Sequence, residues 1–148
     1  MTEKIVYLFP SCASKVMSFN DHSMTSKIIK ILQKLSYQVE VINLNNDCCG
    51  LMYSSMGYDK TANKKRNHLL AHFSNVINQN HSAVILIENS SCIFEIYSKE
   101  SENNITKRIT FVGIYICDIM QLGVKAVESL LSRARENLKK ELDQYYNS

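Results

Sequence analysis

"AVILIE", Ala83–Glu88, is the stretch on which the fold turns. Five apolar residues stand in a row with no alternation, so no face of the segment is reserved for water. A continuous apolar run of strand length is what a strand covered on both faces requires, and parallel sheets flanked by helices supply that environment. The rest of the chain agrees. "KIVYLF" opens a first strand, Lys4–Pro10, rich in β-branched and aromatic residues and ended by Pro10. "YQVEVIN", Tyr37–Asn43, alternates as a second strand, and "RITFVGIY", Arg108–Tyr115, is a fourth candidate.

Helical segments lie between the strands. Ser23–Leu35 carries an apolar stripe of Ile28, Ile29, Ile31, Leu32 and Leu35. Asp59–Asn80 is a long polar helix with Ala62, Leu69, Leu70, Phe73, Val76 and Ile77 inward. A short helix begins at Ile93–Tyr97, "SKESENNITK" is a surface loop, and the chain is helical from Asp118 to about Tyr145. Alternation of strands and helices predicts an α/β fold: a mostly parallel four-stranded sheet, helices on both faces, and a long C-terminal helix. Residues 1–118 form the expected domain. Residues 119–148 form a helix expected to pack on that domain and on a partner.

At 148 residues the chain has room for one sizeable core, and its 45% hydrophobic content is ordinary for a globular protein. A net charge of +3 is too mild to argue for nucleic acid. The opening apolar run, Ile5–Phe9, is too short for a signal peptide's apolar region or a membrane span. The expected compartment is the cytoplasm, with peripheral attachment to the inner face of a membrane through a partner as a further option. Reduced thiols are the norm there, so grouped cysteines indicate metal or catalysis more than disulfides.

Five cysteines are present, an odd number that full pairing within one chain cannot use. Cys12 follows the first strand, Cys48 and Cys49 follow the second, and Cys92 follows the third. In a parallel sheet those positions share the carboxyl edge, where open α/β sheets bind ligands. Thirty-five residues separate Cys12 from Cys48 and forty-two separate Cys49 from Cys92, each gap holding one crossover. Four thiolates suit an iron–sulfur cluster or a structural zinc ion. Gly50, next to the pair, offers positive φ or close backbone approach. The bland alternative is four inert buried cysteines.

Phe9-Pro10-Ser11-Cys12-Ala13-Ser14, then Cys48-Cys49-Gly50 with Ser55 and Gly57, then Ser90-Ser91-Cys92 resemble the cysteine-rich CCG domain. That domain occurs in heterodisulfide reductase, in iron–sulfur subunits of glycolate and lactate oxidation, and in FAD-linked D-lactate dehydrogenases. The resemblance covers roughly residues 4–118. It implies Cys12, Cys48, Cys49 and Cys92 as ligands of a 4Fe–4S cluster serving electron transfer in flavin-linked oxidation of a 2-hydroxyacid such as D-lactate or glycolate. It further implies a component of an oxidoreductase, partnered by a flavoprotein subunit, rather than a complete enzyme. The chain departs from the family pattern in three ways. Glu95 stands where a C-x-x-C motif would end, one CCG half is present where two are usual, and there is neither an FAD-binding segment nor a "CxxCxxC" run. Two other functions stay open: a zinc- or cluster-stabilised binding module without redox activity, and a thiol enzyme with Cys12 or Cys49 as nucleophile.

Cys117, in "YICDIM", is an additional ligand candidate, set against a packed core cysteine. His68 and His72 have the i, i+4 spacing of a two-histidine metal site, but no Glu follows His68 and no third ligand is evident, which favours an exposed helix face. Asp21 and His22 are candidates to bond cluster sulfur, against a cap or loop role. Lys15 is a candidate to offset cluster charge, against a plain surface lysine. Asp47 reads as turn chemistry. Met120, Val124, Val127, Leu131, Ala134, Leu138 and Leu142 recur by fours and threes, a coiled-coil-like seam that suggests a homodimer or a flavoprotein partner.

Overall fold

The structure, a computed structural model, describes residues 4–17, 23–42 and 47–146. Asp21, His22 and Asn43, named above, lie outside them. The elements run β1 (Lys4–Phe9), α1 (Cys12–Met17), α2 (Met24–Lys34), β2 (Tyr37–Val41), α3 (Leu51–Ser55), α4 (Asp59–Gln79), β3 (Ile85–Ile87), α5 (Ser90–Lys99), a 3-10 turn (Thr106–Arg108), β4 (Ile109–Phe111), α6 (Val112–Ile119) and α7 (Val124–Tyr146). The chain divides into two compact units, Met1–Gly113 and Ile114–Ser148.

All four strands are parallel, in the order β2-β1-β3-β4. This is the expected α/β fold, and the long C-terminal helix is present. β1 is central because both its edges are occupied: Lys4–Leu8 pair with Tyr37–Val41, and Tyr7–Phe9 pair with Ile85–Ile87. β3 is fully buried, as its unbroken apolar run demands.

Register sorts the sheet's side chains between two faces. On one, Phe9, Ile85, Ile87 and Ile109 pack with Leu69, Phe73 and Ile77 of α4 and Ile96 of α5. Phe9 meets Phe73 edge to face, with ring centroids 5.5 Å apart. Val6, Leu8 and Leu86 alternate to the other side, where α2 supplies its buried Ile28 and Leu32. Ser23 starts α2 by accepting a hydrogen bond from the Ser26 amide at 3.1 Å.

The fourth strand is shorter than expected. It stops at Phe111, and "VGIYICDI" forms α6. Ile85–Ile87 pairs with Ile109–Phe111, and the chain then leaves β3 for α5. Residues past Phe111 therefore have no neighbouring ladder, and their backbone groups are satisfied within a helix despite β-branched side chains. The C-terminal helical stretch is also interrupted. Gln121 adopts positive φ, its amide donates to the Asp118 carbonyl at 3.1 Å, and the Leu122 amide donates to the Cys117 carbonyl at 2.9 Å. That paired 5→2 and 6→1 arrangement is a Schellman ending, so α7 starts afresh at Val124.

Candidate metal centre

The strand order reverses direction between β1 and β3, because the chain leaves β1 toward β2 and later returns on its other side. A crevice forms at such a switch point, outside the carboxyl ends of the strands. Cys12 begins α1 three residues beyond β1, and Cys92 lies in the first turn of α5 just beyond β3. The two segments are tied together by a buried carboxylate. Glu88 Oε2 accepts from the Ser11 amide at 2.6 Å, and Glu88 Oε1 accepts from Thr25 Oγ1 at 2.9 Å. Ser11 in turn caps α1, its Oγ accepting from the Ser14 amide at 3.1 Å. Asn89 caps α5 by accepting from the Ser91 amide at 2.8 Å.

Cys48 and Cys49 come from irregular backbone after β2, so the two neighbours are not forced to opposite faces as they would be on a strand. Cys12 Sγ lies 3.7 Å from Cys48 Sγ. Cys49 in turn donates toward both Cys48 and Cys92, so the four thiols make one connected row. Cys12 is exposed at its outer end, Cys48 is half-buried, and Cys49 and Cys92 are buried.

Protons are shared unevenly along this row. Cys48 is held down at about 2, chiefly by the hydrogen bonds from Cys12 and Cys49, helped by the Gly50 amide and by the charge of Lys65. Cys12 is pushed up, first because it is the donor to Cys48 and then by burial. Cys49 is pushed up by its bonds to Cys48 and Cys92, and Cys92 is lowered by the bond from Cys49. Donor and acceptor thiols thus alternate along the row, and Lys15 and Lys65 favour the charged form of the sulfurs electrostatically. Thiolates are the metal-binding form of cysteine, so the donor set fits a metal or an iron–sulfur cluster.

Gly50 is required where it stands. Its φ is +91°, and a Cβ there would lie 2.6 Å from the Ala62 carbonyl oxygen of α4. Its amide points to Cys48 Sγ at 3.4 Å, and its carbonyl accepts from the Ser54 amide at the start of α3. Gly57 ends that helix with φ +81°, the Tyr58 amide donating to the Tyr53 carbonyl and the Gly57 amide to Ser54. The five-residue α3 between these two glycines was not expected from the sequence.

Glu95, in the place of a family cysteine, faces a different partner. It is buried and pairs with buried Arg66 of α4 at 3.1 Å, while Arg66 Nε also reaches Glu100 at 3.3 Å. Lys15 lies over the Phe9 ring, 4.7 Å from its centroid. Cys117 is half-buried in α6, in the unit Ile114–Ser148, whereas the thiol row belongs to Met1–Gly113.

Asp47 meets the two helix histidines, so His68 and His72 do have a third donor nearby. Asp47 is only 5% exposed. Its Oδ1 lies 2.5 Å from His68 Nδ1, and its Oδ2 lies 3.5 Å from His72 Nε2. The signal available in the sequence was the histidine spacing; the carboxylate, twenty-one residues before His68, carried none.

An α/β domain with a thiol row at its topological switch point defines a class, the cysteine-built metal or iron–sulfur module. Comparison with protein families makes the class specific. The model of the cysteine-rich domain family named CCG matches residues 6–97, more than half of the chain, and the chain belongs to that family. No match was found among curated proteins or among solved structures. No helix among the described residues is long and apolar enough to cross a membrane.

Proposed function

We propose that the chain is an iron–sulfur electron-transfer module, one CCG half serving a flavin-linked 2-hydroxyacid oxidation system. Cys12, Cys48, Cys49 and Cys92 are the ligands. The observation that carries this reading is the connected row of four thiols drawn from three distant segments, with Cys12 Sγ 3.7 Å from Cys48 Sγ. A 4Fe–4S cluster held there would take up and release single electrons. The chain's own residues have the supporting roles. The Gly50 amide points to ligand sulfur, Lys15 and Lys65 offset negative charge, and Glu88 fixes the Cys12 segment to the end of β3.

Electron transfer needs close approach of a partner, and the ligand segments offer apolar surface for one. Val16, Met52 and Phe94, each within four residues of a ligand cysteine, are 75%, 63% and 71% exposed. A flavoprotein subunit is the partner this reading requires, and membrane association would come only through it. We assign self-association to α7, where Leu131, Leu138 and Leu142 are exposed on the heptad seam. Sedimentation tests that assignment: a dimer that Leu131→Asp converts to monomer supports it, and a monomer in both cases at tens of micromolar removes it.

The decisive experiment is anaerobic purification followed by iron, sulfide and zinc analysis. Brown protein with about four irons and four sulfides per chain supports the cluster, and Cys12→Ser or Cys49→Ser should abolish retention because a hydroxyl oxygen poorly replaces a soft thiolate. Colourless protein with one zinc at the thiols would favour a redox-inactive binding module. Metal-free protein with one reactive low-pKa cysteine would favour the thiol enzyme.

A further inference from the structure

Beside the thiol row, α4 carries a second group of donors with a different chemistry. His68 and His72 are one turn apart on the same helix, their ring centroids 4.9 Å from each other. Both face Asp47, and one donor atom from each of the three residues lies within 4.8 Å of the others. Asp47 is the buried member, its side chain 3% exposed, whereas His68 and His72 are 64% and 39% exposed at the side chain. Asp47 Oδ2 is buried and has no hydrogen-bond partner among the described residues. An orphaned buried carboxylate oxygen is unfavourable, and a positive ligand would remove the deficit.

We propose that Asp47, His68 and His72 form a mononuclear site for a divalent transition-metal ion, with Zn²⁺ as the best-matched occupant. Two imidazoles and one carboxylate are a three-ligand set that zinc accepts, leaving a fourth position for water. Zinc–nitrogen and zinc–oxygen bonds of about 2.1 Å place tetrahedral ligand atoms about 3.4 Å apart. The 3.5 Å between Asp47 Oδ2 and His72 Nε2 already has that spacing. His68 Nδ1 must retreat from its 2.5 Å contact, and its exposure leaves the ring free to turn. Histidine pairs at i, i+4 bind one metal because they emerge from the same helix face.

The site would do structural work on the thiol row. Asp47 directly precedes Cys48, so a metal bridging Asp47 to His68 and His72 clips the CCG segment onto α4. That clip acts from the same helix whose Ala62 carbonyl closes on Gly50. Two metal centres of unlike chemistry, one sulfur-built and one nitrogen/oxygen-built, would then share one loop.

The test uses the full chain, purified anaerobically and titrated with Zn²⁺ and separately with Co²⁺. We expect one equivalent of zinc in addition to whatever the thiols hold, and its complete loss in the His68→Ala/His72→Ala variant, with circular dichroism unchanged. Cobalt at this site should give visible ligand-field bands without near-ultraviolet thiolate charge transfer. His72→Ala alone should weaken binding at least tenfold. The Cys12→Ser variant, which tests the thiol row, should keep this equivalent, so the two assignments fail separately. No zinc beyond the thiol-bound metal, zinc retained by the double variant, or thiolate charge transfer as the sole cobalt signal would overturn the proposal.

Discussion

Cys92 and Glu95 stand one helical turn apart on α5, and both are buried, yet they belong to different worlds. Cys92 joins the thiol row at the sheet edge. Glu95 closes an ion pair with Arg66 inside the contact between α5 and α4. A thiolate at a metal is stabilised by the metal. A buried carboxylate is tolerable only while its cation remains. A cysteine at position 95 is therefore not simply missing: the position has been given to packing, and the guanidinium facing it would lose the more buried of its two carboxylate partners without Glu95.

Substitutions at both kinds of position probe this contrast, in order of decreasing effect. Arg66→Ala should lower unfolding stability by about 3–5 kcal/mol in urea melts, because it leaves Glu95 buried and uncompensated. The double change Arg66→Met/Glu95→Leu should recover most of that loss, since a well-packed apolar pair of similar volume substitutes for a buried ion pair. If the double variant is as unstable as the single one, the ion pair is not what the position requires.

Glu95→Cys would recreate the C-x-x-C pattern. It should destabilise by about 1–3 kcal/mol by removing the more buried of the two carboxylates that hold Arg66, and it should add no iron. An increase in iron per chain would show that position 95 still reaches the metal centre.

The two positive-φ glycines separate close approach from backbone conformation. Gly50→Ala should cost more than the roughly 1–2 kcal/mol of a left-handed alanine, because its Cβ also strikes the Ala62 carbonyl, and it should reduce metal retention. Gly57→Ala should cost only about 1 kcal/mol, since nothing lies within 4 Å of the new Cβ, and it should leave metal content intact. Equal melting shifts for the two would mean that the Ala62 contact relaxes freely. Smallest of all, Cys117→Ser should leave iron and zinc content unchanged, a result read directly by metal analysis; parallel loss in this variant would misplace the ligand set.

Much was legible before folding was considered. "AVILIE" has no polar face, so it had to be covered on both sides, and the helices around it could be read from apolar stripes such as Ile28 with Leu32. The placement of cysteines just beyond strand ends followed from that alternation. The end of β4 was less legible, because "ITFVGIYICDI" is apolar and β-branched throughout; its length as a strand depends on how far β3 offers a partner. The helix break at Gln121 was hidden for a related reason, since a left-handed glutamine has no sequence signature comparable to glycine.

The sequence by itself determined the chemistry available to this protein: four thiols with a CCG signature, two histidines a turn apart, and strands that must be buried. It also determined the order of the four strands and the longer helices, because hydrophobic period is a local property of the chain. Tertiary structure alone decided which groups meet. Cys12 reaches Cys48 across thirty-five intervening residues, Arg66 finds Glu95 from another helix, and Asp47 turns inward under His68 and His72. Contacts of that kind depend on strand order and helix packing, which place distant segments side by side and leave no periodic trace in the residues that lie between them.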